Sequence, residues 1–151
     1  MTPQTFFAAL LPAAKAVTTT ISVPVSFTLA EAALESGWGD SYLATTAFNL
    51  FGVKADASWH GAAINIPTKE YEGGLFVTVD ALWRKYSGWG ECLTDHAAFF
   101  KDNPRYHAAL TITNGKDFAT AIAKAGYATD PDYAAKLHAI IDAHNLTQYD
   151  V

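Results

Sequence analysis

Apolar residues recur at helical intervals near both ends of the chain and alternate only in its middle. Thr2-Pro3 is a cap followed by proline at the first helical position, and Phe6, Phe7, Leu10 and Leu11 then build an apolar face. Pro12 is expected to break or restart this helix, and the β-branched run Thr18-Thr19-Thr20 to form a connection. After Pro24 the segment Val25 to Glu35 places Phe27, Ala30 and Leu34 at helical spacing, with Gly37 where a left-handed C-terminal cap is wanted. From Ala63 to Tyr71 the pattern alternates, Glu72-Gly73-Gly74 supplies a turn, and Leu75 to Val79 is β-branched and aromatic, which predicts a β-hairpin. Pro67 cannot donate to a ladder, so its strand should lie at an edge. Helical spacing returns in Leu93, Ala97 and Phe100, in Phe118 to Ala125 ended by Gly126, and in Tyr133, Leu137, Ile140 and Ile141 after the cap-and-proline pair Asp130-Pro131. Helices, one hairpin, then helices describe an α+β fold, mostly helical, with a small β-lobe. No repeat, low-complexity tract or linker divides it, so residues 1–151 are read as a single domain.

Composition narrows the partners. Half of the 151 residues are hydrophobic and 17% are charged, which suits a packed core and argues against disorder. The net charge is −5 and the basic residues are dispersed, so nucleic acid is not an expected partner. A single cysteine, Cys92, excludes an intramolecular disulfide. The start Met1-Thr2-Pro3-Gln4 has no basic region and its apolar stretch is short, which reads as no signal peptide, and no run reaches membrane-spanning length. Trp38 and Trp89 lie in Gly-rich sequence, where their rings either line a groove for sugar faces or cap the core.

The five histidines never pair at zinc-ligand spacing, and structural or exposed roles suit each of them better; no metal or cofactor is expected. Neither a Gly-x-Ser-x-Gly elbow nor a P-loop is present. Cys92 and His96 fall at i, i+4 spacing, but a buried cysteine is the stronger reading than a thiol nucleophile. Carboxylates remain. Glu35 stands at the C-terminal turn of an apolar helix before a Gly-Trp-Gly bend, where burial, the negative helix end and the like charge of Glu31 one turn earlier would all raise its pKa. From spacing alone, an ordinary solvated face carrying both glutamates is the simpler alternative. Glu70, placed on the strand face of Ile64 and Ile66, is the candidate second carboxylate for glycoside hydrolysis, while Glu72 is explained as a solvated turn residue.

Leu29-Ala30-Glu31-Ala32-Ala33-Leu34-Glu35-Ser36-Gly37-Trp38-Gly39 resembles the "AQAALESGWG" signature of the flagellar-type N-acetylglucosaminidases, glycoside hydrolase family 73. Asn49 to Lys54, Thr68 to Tyr71, Leu93 to His96, Asn103 to Tyr106 and Gly126 to Pro131 are similar to that family's later blocks, in the same order across nearly the whole chain. The resemblance implies a lysozyme-like helical fold with a β-lobe flanking a substrate groove, and cleavage of the β-1,4 bond after N-acetylglucosamine in peptidoglycan glycan strands. It implies Glu35 as general acid, Glu70 as the second catalytic carboxylate and Tyr127 as a tyrosine of the site. Asp95 matches an acidic residue that matters for activity, for which a structural role fits equally well. Trp38, Asn49, Phe51 and Tyr71 are the candidate substrate-binding residues within these blocks. Glu31 departs from the family's more usual Gln, and the connection Asp40 to Phe48 is short. If Glu70 activates water the reaction inverts; if the substrate's own acetamido group attacks, Tyr127 orients that group instead. Competing expectations are an N-acetylmuramidase or lytic transglycosylase on the same fold, a non-catalytic wall-binding module, and an interaction domain of a phage or secretion particle. The protein is expected to be made in the cytoplasm and to act in the periplasm or cell wall, as a phage endolysin let out by a holin, as an effector carried by a secretion system, or as a domain cut from a longer exported protein, the first two being favoured.

Overall fold

The first element of the computed structural model, which describes residues 1–151, is the helix α1 (Pro3–Thr20), started by the Thr2 hydroxyl accepting from the Thr5 amide at 3.1 Å. It runs straight past Pro12 and absorbs Thr18 to Thr20, contrary to the expected break and connection. A proline removes one helical hydrogen bond, but Phe6, Phe7, Leu10, Ala14 and Val17 are buried along the whole face, and packing on the helices α2 (Val25–Ser36) and α4 (Trp89–Asp102) holds it together. The residues of α2 from Val25 to Ala33 are all buried, Ser26, Thr28 and Glu31 included. Gly37 closes this helix with φ 58° and ψ 48°, a left-handed cap as expected.

The short stretch from Asp40 to Phe48 carries a helix of its own, α3 (Tyr42–Thr46), capped by the Ser41 hydroxyl on the Ala44 amide at 3.1 Å. The expected hairpin forms a ribbon in two pieces. Strand β1 (Ala63–Asn65) pairs with β4 (Leu82–Arg84), and β2 (Thr68–Glu72) pairs with β3 (Leu75–Val79), both antiparallel. Ile66 still donates to the Ala81 carbonyl at 3.0 Å, and Pro67, without an N–H, marks the gap. The expected single strand from Ala63 to Tyr71 is therefore interrupted. Ile64, Ile66 and Thr68 stay partly covered, whereas Glu70, next in that alternation, is exposed.

The C-terminal half adds α5 (Gly115–Lys124) and α6 (Tyr133–Ala143), which pack on one another and on α2. Helix α6 starts later than the Asp130-Pro131 pair suggests: the Asp130 carboxylate accepts from the Asp132 amide at 2.9 Å in a turn ahead of it. Near the end of the chain, Asp150 accepts from the Ser26 amide and the Gly115 amide, both at 2.9 Å, and from the Ser26 hydroxyl, tying the C-terminus to the start of α2. Around α2 lies one core that includes Phe6, Phe27, Phe100, Phe118, Leu137 and Ile141. No helix is long and apolar enough to cross a membrane.

Candidate active site

Helix α2 sets two carboxylates one turn apart at one end of an open cleft of about 470 Å³. Glu35 is exposed to the cleft, and Glu31, 1% exposed, lies beneath it. A charge this deep needs partners, and Glu31 has three. His96 of α4 lies 2.7 Å from one oxygen, and the Tyr127 and Tyr133 hydroxyls each donate to the other at 2.6 Å. Burial pushes the Glu31 carboxyl up, but His96 and the hydrogen bonds from His96, Tyr127 and Tyr133 together outweigh it and hold the group below its ordinary value. The same contacts press the Tyr127 and Tyr133 hydroxyls well above theirs: burial contributes most, followed by the Glu31 charge.

Glu35 is shifted the other way. Loss of water around its carboxyl raises its pKa most and the Glu31 charge raises it further, against smaller opposing effects of Tyr133, His96 and Lys136. Lys136 is in turn engaged by Asp130 at 2.6 Å. A carboxyl whose pKa is raised at the edge of a cleft suits general acid catalysis.

The facing wall comes from the loop Phe51 to Lys54, from Arg84, and from Asp95 and Phe99 of α4. Phe51 stacks on His96 with ring centroids 4.0 Å apart and planes 20° from parallel. Asn49 is buried behind this loop, its amide donating to the Val53 and Arg84 carbonyls at 2.9 Å and its oxygen accepting from the Val53 amide at 3.0 Å. Asp95 accepts from Arg84 at 2.8 Å and from the Tyr86 hydroxyl at 2.6 Å. Cys92 is buried one turn from His96, its thiol pushed up to about 12, mainly by burial, and it takes no part in the cleft.

Of the residues singled out in the sequence, Glu35, Asp95, Phe51 and Tyr127 line the cleft. Four do not. Asn49 has both polar ends spent on the backbone and holds the loop rather than a ligand. Trp38, itself at φ 61°, turns back under α1 and meets Phe6, Phe7 and His144 edge-on, at 6.1, 5.4 and 5.3 Å. Trp89 likewise packs on Phe6, and a side chain at Gly39 would collide with both Phe6 and Trp89 at about 3.0 Å, which is why that bend requires glycine. Tyr71, 67% exposed, stands on the ribbon against Phe76. Glu70 is also on the ribbon, 3.4 Å from the Lys54 ammonium and outside the cleft lining. In the other direction, His96 and Tyr133 belong to the site although sequence reasoning gave His96 a bland role and Tyr133 none beyond the core. The only local hint was that His96 follows Asp95 in a family-like block.

A family model described as Glucosaminidase, mannosyl-glycoprotein endo-beta-N-acetylglucosaminidase, matches residues 11–146. The peptidoglycan hydrolase FlgJ of Salmonella typhimurium is 44% identical over 90% of this chain and 44% of its own length. The exo-glucosaminidase LytG of Bacillus subtilis is 44% identical over 83% of this chain and 45% of its own. The chain thus spans less than half the length of these curated relatives. Among solved structures, a C-terminally truncated glycoside hydrolase domain of Salmonella typhimurium FlgJ superposes with a TM-score of 0.84 at 41% identity, covering 95% of this chain and 98% of that one.

Proposed function

This chain belongs to the glucosaminidase family, glycoside hydrolase family 73, and on that premise we propose that it is an endo-β-N-acetylglucosaminidase of peptidoglycan, cutting the β-1,4 bond after N-acetylglucosamine. Its 151 residues act as one hydrolase domain. The observation that carries the reading is Glu35, open to the cleft, with its pKa raised by desolvation and by the buried Glu31 charge. In the reaction the Glu35 proton passes to the glycosidic oxygen as its bond to the anomeric carbon breaks, and water adds to that carbon.

Glu70 is the carboxylate that takes the proton of this water, with inversion if the two carboxyls come to roughly 6.5–9.5 Å. That role requires the ribbon to bend toward the cleft, since Glu70 stands outside its lining. This position favours a second reading of the mechanism, in which the substrate's acetamido oxygen attacks and Glu70 is dispensable. Near-normal turnover by Glu70→Gln selects that second route. Tyr127 gives its proton to Glu31 and its oxygen also lies 3.0 Å from His96 Nε2, so it has only a remaining lone pair to offer the acetamido N–H.

The place of action is the periplasm or cell wall, and a holin or secretion system is the proposed route of delivery. Digestion of reduced peptidoglycan fragments by wild type and Glu35→Gln, with new reducing ends identified by mass spectrometry, tests the assignment. New N-acetylglucosamine ends that vanish in the variant are expected. Muramic acid or anhydro ends would move the protein to the muramidase or transglycosylase class, and no cleavage would leave a binding module.

A further inference from the structure

Most charged side chains lining the cleft are engaged by near neighbours. Glu31 is engaged by His96 at 2.7 Å and by the Tyr127 and Tyr133 hydroxyls at 2.6 Å. Asp95 and Asp56 are both matched by Arg84, at 2.8 and 3.3 Å. Arg84 has no nitrogen to spare: Nε donates to the Lys54 carbonyl at 3.1 Å, Nη1 to Asp95, and Nη2 reaches Asp56 and the Ser58 hydroxyl. Of the two basic side chains that line the cleft, Lys54 is the one with N–H bonds to spare.

Lys54 is fixed at its root and loose at its tip. Its backbone bridges to Trp83 and accepts from Arg84, so the side chain starts from a defined point on the wall. Its ammonium lies 3.4 Å from a single oxygen of Glu70, with the two side chains 55% and 44% exposed, and 5.7 Å from the Trp83 ring. A contact this long and this wet contributes little, and the remaining N–H bonds of the ammonium face solvent at the cleft. A glycan made only of N-acetylglucosamine is uncharged, whereas each muramoyl unit of peptidoglycan bears a lactyl ether ending in a carboxylate, or in a stem peptide that itself carries carboxylates.

We propose that Lys54 is a specificity residue of the cleft, its ammonium receiving a carboxylate of the muramoyl unit. This rests on the peptidoglycan reading above. The assignment makes this loosely held cation the groove's means of telling wall glycan from neutral chitin-like chains, and it makes Glu70 a stand-in that yields Lys54 when substrate arrives.

The test measures kcat and KM for wild type, Lys54→Gln and Lys54→Arg on three forms of one muramoyl glycan: the denuded lactyl acid, its neutral methyl ester, and the stem-bearing muropeptide. For the wild type, kcat/KM is expected to favour the acid or the muropeptide over the ester. Lys54→Gln should cut that preference about fivefold, through KM, as removal of a half-exposed ion pair implies, and Lys54→Arg should restore it. A preference confined to the lactyl acid makes the lactyl group the ligand, and one confined to the muropeptide makes it the stem. An unchanged ratio overturns the proposal, as does an equal fall in kcat on all three, which would mean that Lys54 only positions the ribbon through Glu70. Failure of the underlying reading looks different: the wild type would cut none of the three, and both inferences would fall.

Discussion

Replacing Glu31 separates its two effects, one on stability and one on Glu35. In Glu31→Ala, His96, Tyr127 and Tyr133 all lose the acceptor that they reach at 2.6–2.7 Å, inside a site where the lost carboxyl was 1% exposed. Breaking a buried pair by removing one member costs about 4 kcal/mol. For 151 residues unfolding with roughly 2.1 cal/mol/K per residue, that lowers Tm by about 12 °C. Glu31→Gln keeps the volume and one acceptor oxygen, and should cost only about 1–2 kcal/mol. The second effect is read in kcat/KM against pH. Glu35 works as an acid while protonated, so activity falls as pH rises through its pKa. Desolvation and the Glu31 charge raise that pKa, while Tyr133, His96 and Lys136, which oppose it, all remain in the variant. Glu31→Gln therefore moves the basic limb of the profile to lower pH and spares activity on the acid side. A Glu31→Gln enzyme with the wild-type basic limb, or a Glu31→Ala protein melting within about 3 °C of wild type, would refute the account of the buried charge.

Three further outcomes follow from the same geometry. Because the folded state raises the Glu35 pKa above 4.5, its ionised form opposes folding; that penalty is absent below pH 4.5 and complete above the raised value. Glu35→Gln should thus melt slightly higher than wild type at pH 7, by less than about 1 kcal/mol for so exposed a group, with no gain at pH 4. Trp38→Leu removes edge contacts to Phe6, Phe7 and His144 and should cost about 2–3 kcal/mol in denaturant unfolding, with KM at 20 °C unchanged; a raised KM would return Trp38 to the groove. Gly115→Ala would put a methyl group 2.8 Å from the Phe27 amide nitrogen and still nearer the Ser26 hydroxyl. It should destabilise by about 1–3 kcal/mol and loosen the Asp150 tie, visible as faster amide exchange at Ser26 and Gly115.

What the chain announced in advance depended on how far each interaction reaches along it. Thr2-Pro3, Gly37 and the Gly73-Gly74 turn act over a few residues and appear where their spacing put them. Pro12 was misjudged because its local cost is outweighed by an apolar face buried on both sides of it, and that face is made by α2 and α4, not by neighbours in sequence. Trp38 was left open between groove and core because a Gly-rich bend does not say which way its ring turns; a left-handed backbone at Trp38 itself swings the indole under α1. Glu35 could be named from a family-like motif, but its setting could not, since the partners of Glu31 lie 65, 96 and 102 residues away. A subtler sign was present all the same. From Phe27 to Ala33 the helix holds only one charged residue amid Phe, Leu and Ala, and a helix apolar around its whole circumference is a buried one. A glutamate at such a position cannot belong to a solvated face; it must find donors among whatever packs there. Those donors are His96, Tyr127 and Tyr133, supplied by the aromatic blocks downstream, and the charge they hold in place adds to desolvation in raising the Glu35 pKa.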